Sequence, residues 1–124
     1  MNSESSRNLE ASVLLSWREL NPDGWQEVVG EIINIFLEHG PRQHGVLLKA
    51  HSRRDRQGIA AAAHTLKSSC GNVGAMRASR LLETIENGVA VLAWHEVDAL
   101  ISELEQALSE SHADLHAFIE DHAA

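Results

Sequence analysis

Residues 63–75 read Ala63-His64-Thr65-Leu66-Lys67-Ser68-Ser69-Cys70-Gly71-Asn72-Val73-Gly74-Ala75. Apolar residues recur at Ile59, Ala63, Leu66, Cys70 and Val73, and these spacings of three and four mark one buried helical face. With Ile59 at zero and about 100° per residue, His64 falls at about 140°, Lys67 at about 80°, Ala60 at about 100°, Gly71 at about 120° and Ser68 at about 180°. The histidine therefore points away from the core. Its helical neighbours are an alanine, a serine, a glycine and one cation. A bare, flat surface around an exposed imidazole suits a second protein that must bring a reactive group up to it.

The chain on either side reads as further helices. A stripe of Val13, Leu14, Trp17 and Leu20 predicts a first helix over 9–20, and Asn21-Pro22-Asp23-Gly24 a turn in which Asp23 caps the next helix. That helix runs on Trp25, Val28, Ile32 and Phe36 to about His39. Gly40 then ends it, and Pro41 opens another reaching Ser52. Asp55 caps the His64 helix, which closes over Asn72–Gly74. A helix over 75–87 stops at Gly88, the apolar run at 89–94 reads as a packed connector, and a last helix spans 95–121. Long amphipathic helices joined by short turns favour an antiparallel bundle. Residues 1–8 are polar and read as a flexible tail, leaving 9–124 as the domain.

Composition narrows the class. The chain has 124 residues, enough for one core. Its single cysteine, Cys70, lies on the apolar face and reads as a buried residue in a reducing compartment. No apolar run of membrane-spanning length and no apolar leader occurs, so the expectation is a soluble, cytoplasmic protein, no membrane partner and a monomer. The net charge of −8 is unevenly spread: residues 42–80 hold eight Lys/Arg and one acid, a local +7 against −15 elsewhere. This draws an acidic partner or a phosphoryl group to the end that contains His64. Arg53, Arg56 and Arg77 are the expected rim, around the close approach permitted by Ala60, Ser68 and Gly71.

Chemistry is narrowed in the same way. A neutral imidazole is a competent nucleophile near neutral pH, and Lys67, one turn on, is placed to neutralise phosphoryl oxygens. No phosphate-binding loop or nucleotide lid is present, so the chain is not expected to be a kinase or any other nucleotide-using enzyme. His112, His116 and Glu120 share one side of the last helix, but without a Cys pair or His-Glu-x-x-His they read as surface residues, and His39, His44 and His51 read as surface or helix-end residues; no metal or cofactor is expected. Residues 38–93 supply no Phe or Tyr, and no Trp before the connector's end at Trp94, so nucleic acid is not an expected partner.

The motif resembles that of the histidine-containing phosphotransfer (HPt) family of two-component phosphorelays, roughly His-x-Leu-Lys-Gly-Ser-small and then an aliphatic-Gly pair. Here it stands as His64-x-Leu66-Lys67-Ser68-Ser69-Cys70 followed by Val73-Gly74, with Ser68 in place of the usual glycine. The resemblance implies an all-α fold, an antiparallel four-helix bundle with an additional short N-terminal helix packed across one end. It further implies that His64 accepts a phosphoryl group from a phospho-aspartate of a receiver domain and passes it to a response regulator. The partners implied are receiver domains of a hybrid sensor kinase and of a response regulator. The competing reading is a helical interaction module that sequesters a receiver without phosphate chemistry. Met1 and the full helix set favour a free-standing protein.

Overall fold

Apolar phase along the chain sets the architecture. The computed structural model describes residues 9–122; the tail expected over 1–8 lies outside the described residues. Its helices are α1 (Ala11–Leu15), α2 (Trp17–Leu20), α3 (Trp25–Ser52), α4 (Arg56–Asn72), α5 (Met76–Gly88) and α6 (Trp94–Asp121), with no strand among the described residues. Helices α3 to α6 form the antiparallel four-helix bundle. The ring closes where α3 meets α6: Trp25 against His122 at 5.8 Å between ring centroids, Phe36 against His112 at 5.6 Å and His51 against Trp94 at 6.5 Å. Rising numbers on one helix meet falling numbers on the other, so the two run antiparallel.

Two expectations are corrected at α3. Gly40-Pro41 does not divide two helices; a single 28-residue helix runs through it, with Pro41 inside. Interior proline costs about 3 kcal/mol, because it removes a hydrogen bond to the carbonyl four residues back. The helix persists because its buried residues (Trp25, Val29, Ile33, Phe36, Gly40, Leu47, Ala50) keep one phase across the proline, within a sector of about 100°. Burial of large apolar side chains contributes about 1.5–3 kcal/mol each, which outweighs the break. Asp23 does not cap α3 either. Gly24 is the N-cap residue, and the Asn21 side-chain oxygen accepts from its N–H at 3.2 Å.

The N-terminal helix is split at Ser16, whose hydroxyl donates to the Val13 carbonyl at 2.7 Å. It packs across one end of the bundle. The Glu10 N–H donates to the Gly74 carbonyl at 2.6 Å, tying this segment to the α4–α5 turn. Gly74 has φ +81°, and a Cβ there would stand 2.5 Å from the Glu10 carbonyl oxygen. Both the left-handed backbone and the close approach require glycine. At the opposite end, Arg54 takes φ 55° between α3 and α4, held by Asp98 at 3.0 Å and by the Trp94 ring at 4.7 Å. The connector after α5 is packed at Val89, Leu92 and Trp94, whereas Val91, expected to pack with them, is 85% exposed. Val89 is buried, and the Arg56 guanidinium donates to the Val89 and Leu92 carbonyls while lying 4.2 Å from the Trp94 ring centroid.

Gly74→Ala is expected to lower the unfolding free energy by about 1–3 kcal/mol from backbone strain, with the Glu10 contact adding to it. Urea denaturation followed by circular dichroism checks this. An unchanged midpoint would mean that the N-terminal helix does not depend on the turn.

Candidate functional site

Helix α4 starts where the Asp55 side chain accepts from the Gly58 N–H at 3.0 Å, which satisfies one of the unpaired donors of the first turn. Its inner face is sealed: Ile59, Ala63, Leu66 and Cys70 have no exposed surface and Val73 has 1%. Burial pushes the Cys70 thiol up to about 12, so it stays protonated and is a packing residue. The outer face is open. The His64 side chain is 65% exposed at the middle of the helix, Ser68 is exposed beside it, and Ala60 and Gly71 are half-buried. A Cβ on Gly71 would meet nothing within 4 Å, so the fold itself does not call for glycine there.

Glu86 on α5 organises this face. One oxygen of its carboxylate lies 2.9 Å from His64 Nδ1, and the other lies 3.0 Å from Lys67 Nζ. The bond from the Lys67 ammonium, and after it the one from His64, hold the Glu86 carboxyl below the usual carboxylate range. At neutral pH it is therefore ionised and can only accept. The proton in the His64 contact must then sit on Nδ1, and in the neutral ring Nε2 carries the free lone pair. The arrangement is a nucleophilic nitrogen in solvent, a carboxylate behind the ring and a cation within a turn.

The other residues singled out in the sequence divide into two groups. Ala60, Lys67, Ser68 and Gly71 share the α4 surface with His64. Arg53 and Arg56 lie at the start of α4, Arg56 about 12 Å along the axis from His64, and Arg77 lies on α5 past the other end. Arg53 is exposed at the C-cap of α3. The Arg56 guanidinium is turned to the connector carbonyls, and Arg77 pairs with Glu110 of α6 at 3.4 Å. Ser69 turns toward α3, where its hydroxyl donates to the Gln43 side-chain oxygen at 2.9 Å. Sequence reading missed Glu86; its only signal was an acid on the half-buried edge of α5. Val46, expected from periodicity on the apolar stripe of its helix, is instead 61% exposed on α3, one turn from the Gln43–Ser69 link. His44 and His112 are half-buried rather than surface residues.

Residues 31–113 match the Hpt domain family. The chain belongs to that family. Among solved structures, the crystal structure of histidine-containing phosphotransfer protein B (HptB) from Pseudomonas aeruginosa PAO1 superposes with a TM-score of 0.79 at 19% identity, covering 94% of this chain and 98% of that one. At that identity the likeness is one of fold, and it extends over the N-terminal helix as well as the bundle. No curated protein matches the chain. Among the described residues no helix is long and apolar enough to cross a membrane, and no group of three or more His, Cys, Asp or Glu is arranged to hold a metal ion.

Replacing Glu86 by alanine is expected to free the His64 ring, so that the Nδ1–H form no longer dominates at neutral pH. Two-dimensional ¹⁵N imidazole spectra read this directly. In the unmodified chain the neutral ring should show the Nδ1–H signature while Glu86 is ionised, its carboxyl being held below the ordinary value of 4.5. Equal tautomer populations in both proteins would contradict the assigned hydrogen bond.

Proposed function

We propose that this Hpt-family chain is a phosphoryl carrier in a two-component phosphorelay, with His64 Nε2 as the acceptor. The observation that carries this reading is the Glu86 bridge, which leaves Nε2 as a solvent-facing nucleophile with Lys67 within one turn. Nε2 attacks the phosphorus of a receiver's phospho-aspartate; the N–P bond forms as the acyl P–O bond breaks. The aspartate carboxylate leaves with the electron pair. Phosphohistidine then holds a positive charge on its ring, with Nδ1–H still facing the Glu86 carboxylate. Lys67 turns from Glu86 to the phosphoryl oxygens, keeping the charge balanced within the site. Attack by the next receiver's aspartate reverses these steps. The chain supplies position and charge, which is most of what phosphoryl transfer asks of a protein.

The partner is a receiver domain, an acidic-pocketed protein that must approach closely and leave again. Ala60, Ser68 and Gly71 keep the ground around His64 low, and the exposed Val46 supports an apolar flank on α3. The basic segment contributes less than its count of charges suggests. Arg42, Arg54, Lys67 and Arg77 already face acids of this chain and Arg56 faces carbonyls, while Lys49, Arg53 and Arg80 are exposed. Electrostatic attraction therefore acts as weak steering that raises the association rate and fades with salt.

Incubation with a phosphorylated receiver should give acid-labile, alkali-stable label on this chain. His64→Gln should abolish the label while leaving helicity and melting unchanged; a labelled His64→Gln protein would overturn the assignment. Lys67→Ala should slow transfer or shorten the phosphohistidine lifetime, with a stability change within about 0.5 kcal/mol.

Gly71→Ala separates docking from folding. Alanine is favoured over glycine in a helix by about 1 kcal/mol, and the added methyl meets nothing in this chain. The variant is expected to be as stable or more stable, yet to bind a receiver more weakly in a titration followed by chemical shift. Unchanged affinity would place the docking surface away from this side of α4.

A further inference from the structure

Away from His64, the seam between α3 and α6 holds a second set of histidines beside the proline inside α3. A groove there is lined by Gly40, Pro41, His44, Glu105, Ser109 and His112. His44 Nε2 is buried and has no hydrogen-bond partner. His112 faces it from α6, with its ring 5.6 Å from that of Phe36. We propose that His44 and His112 form an acid-sensitive joint in this seam, closed while both imidazoles are neutral and opened at Pro41 when they take up protons.

The geometry supplies each part. A neutral imidazole tolerates a buried, unpaired nitrogen at modest cost, whereas a charged one does not. Desolvation accordingly holds both rings below the ordinary histidine value, His44 against the opposing pull of Glu105 and His112 with further lowering by His116 and His44. These are the charged groups that face the two rings. Glu110, on the same helix, is paired with Arg77 of α5. Protonating both rings sets like charges across the seam with one carboxylate, Glu105, beside them. Helix α3 is weakest at the same level, because Pro41 has no N–H to donate to the Leu37 carbonyl. Gln43, next to His44 in sequence, holds Ser69 of α4, so opening the seam also loosens the contact of α3 with the His64 helix.

The sign follows from where the protons go. Both rings have folded values below 6.5, so the unfolded chain binds protons more readily. Stability is therefore full above 6.5 and falls as pH drops from there through the lowered folded values. None of this depends on phosphoryl transfer, and its failure would leave the proposed role of His64 untouched.

The test uses the whole chain at pH 7.5 and 5.5. Imidazole NMR titration should give midpoints below 6.5 for His44 and His112. Acidification should lower amide protection factors over residues 40–46 more than over the α5 core at 78–85. The double substitution His44→Gln, His112→Gln should remove at least half of the acid-induced fall in the urea midpoint. Titration of both rings at or above 6.5, a uniform change in protection, or an undiminished acid loss in the folded variant would each overturn the joint. If the variant does not fold, the ring titrations and the exchange pattern of the unaltered chain decide the matter.

Discussion

Helix α4 has to satisfy two requirements that pull its sequence in opposite directions, and the remaining helices are arranged around that division. Its inner face is so fully covered that no side chain from Ile59 to Cys70 on that stripe reaches solvent. Its outer face offers little to bury and contributes almost nothing to the core. A helix stabilised from one side only depends on its neighbours being continuous. That accounts for α3 running unbroken behind it through Gly40-Pro41: a true break there would withdraw half of the wall against which α4 packs. The cost of one interior proline is small against the apolar area that a shift in phase would expose.

Charge follows the same logic. The sequence concentrates cations between residues 42 and 80, yet the fold spends most of them on its own acids and carbonyls, including the α6 acids Asp98 and Glu110. What remains at the centre of α4 is the shared carboxylate of Glu86. Placing one anion between an imidazole and an ammonium leaves the group of three with no net charge while the ring is neutral and Lys67 and Glu86 are charged. Such a site differs from the basic anion-binding surface that the count of residues alone suggests.

How much of this was legible in the sequence depended on whether the signal was local. The α4 stripe, the Asp55 cap and the close of α4 at Asn72–Gly74 follow from periodicity and turn chemistry within a few residues, and each stands where expected. Gly40-Pro41 misled because a local breaker was weighed above a longer-range fact. Trp25, Val29, Ile33, Phe36, Leu47 and Ala50 share one phase on an uninterrupted helix, which two helices joined at a turn would have no reason to keep. Asp23 misled for a smaller reason: Gly24 stands at the N-cap, and no side chain caps α3. Glu86, the Arg56 anchor and the His44–His112 pair lie on contacts between separate elements, 19 or more residues apart in sequence, and no spacing rule within one helix reports those.

Strain in this fold is kept to its ends. Arg54 and Gly74, the residues with positive φ among those described, flank α4 at its entry and exit, whereas His64 sits on regular helix between them. A site on an unstrained, well-packed helix is held in place by the scaffold and needs no backbone change to react. The proposed transfer accordingly calls for rotation of Lys67 alone, a side chain already partly exposed and held by one ion pair. Of the residues beside His64 on α4, Ser68 is exposed and Gly71 has open space where a side chain would stand, so the fold requires neither. Under the proposed function, a change at Ser68 or Gly71 alters the ground around the imidazole while the buried face of α4 stays as it is.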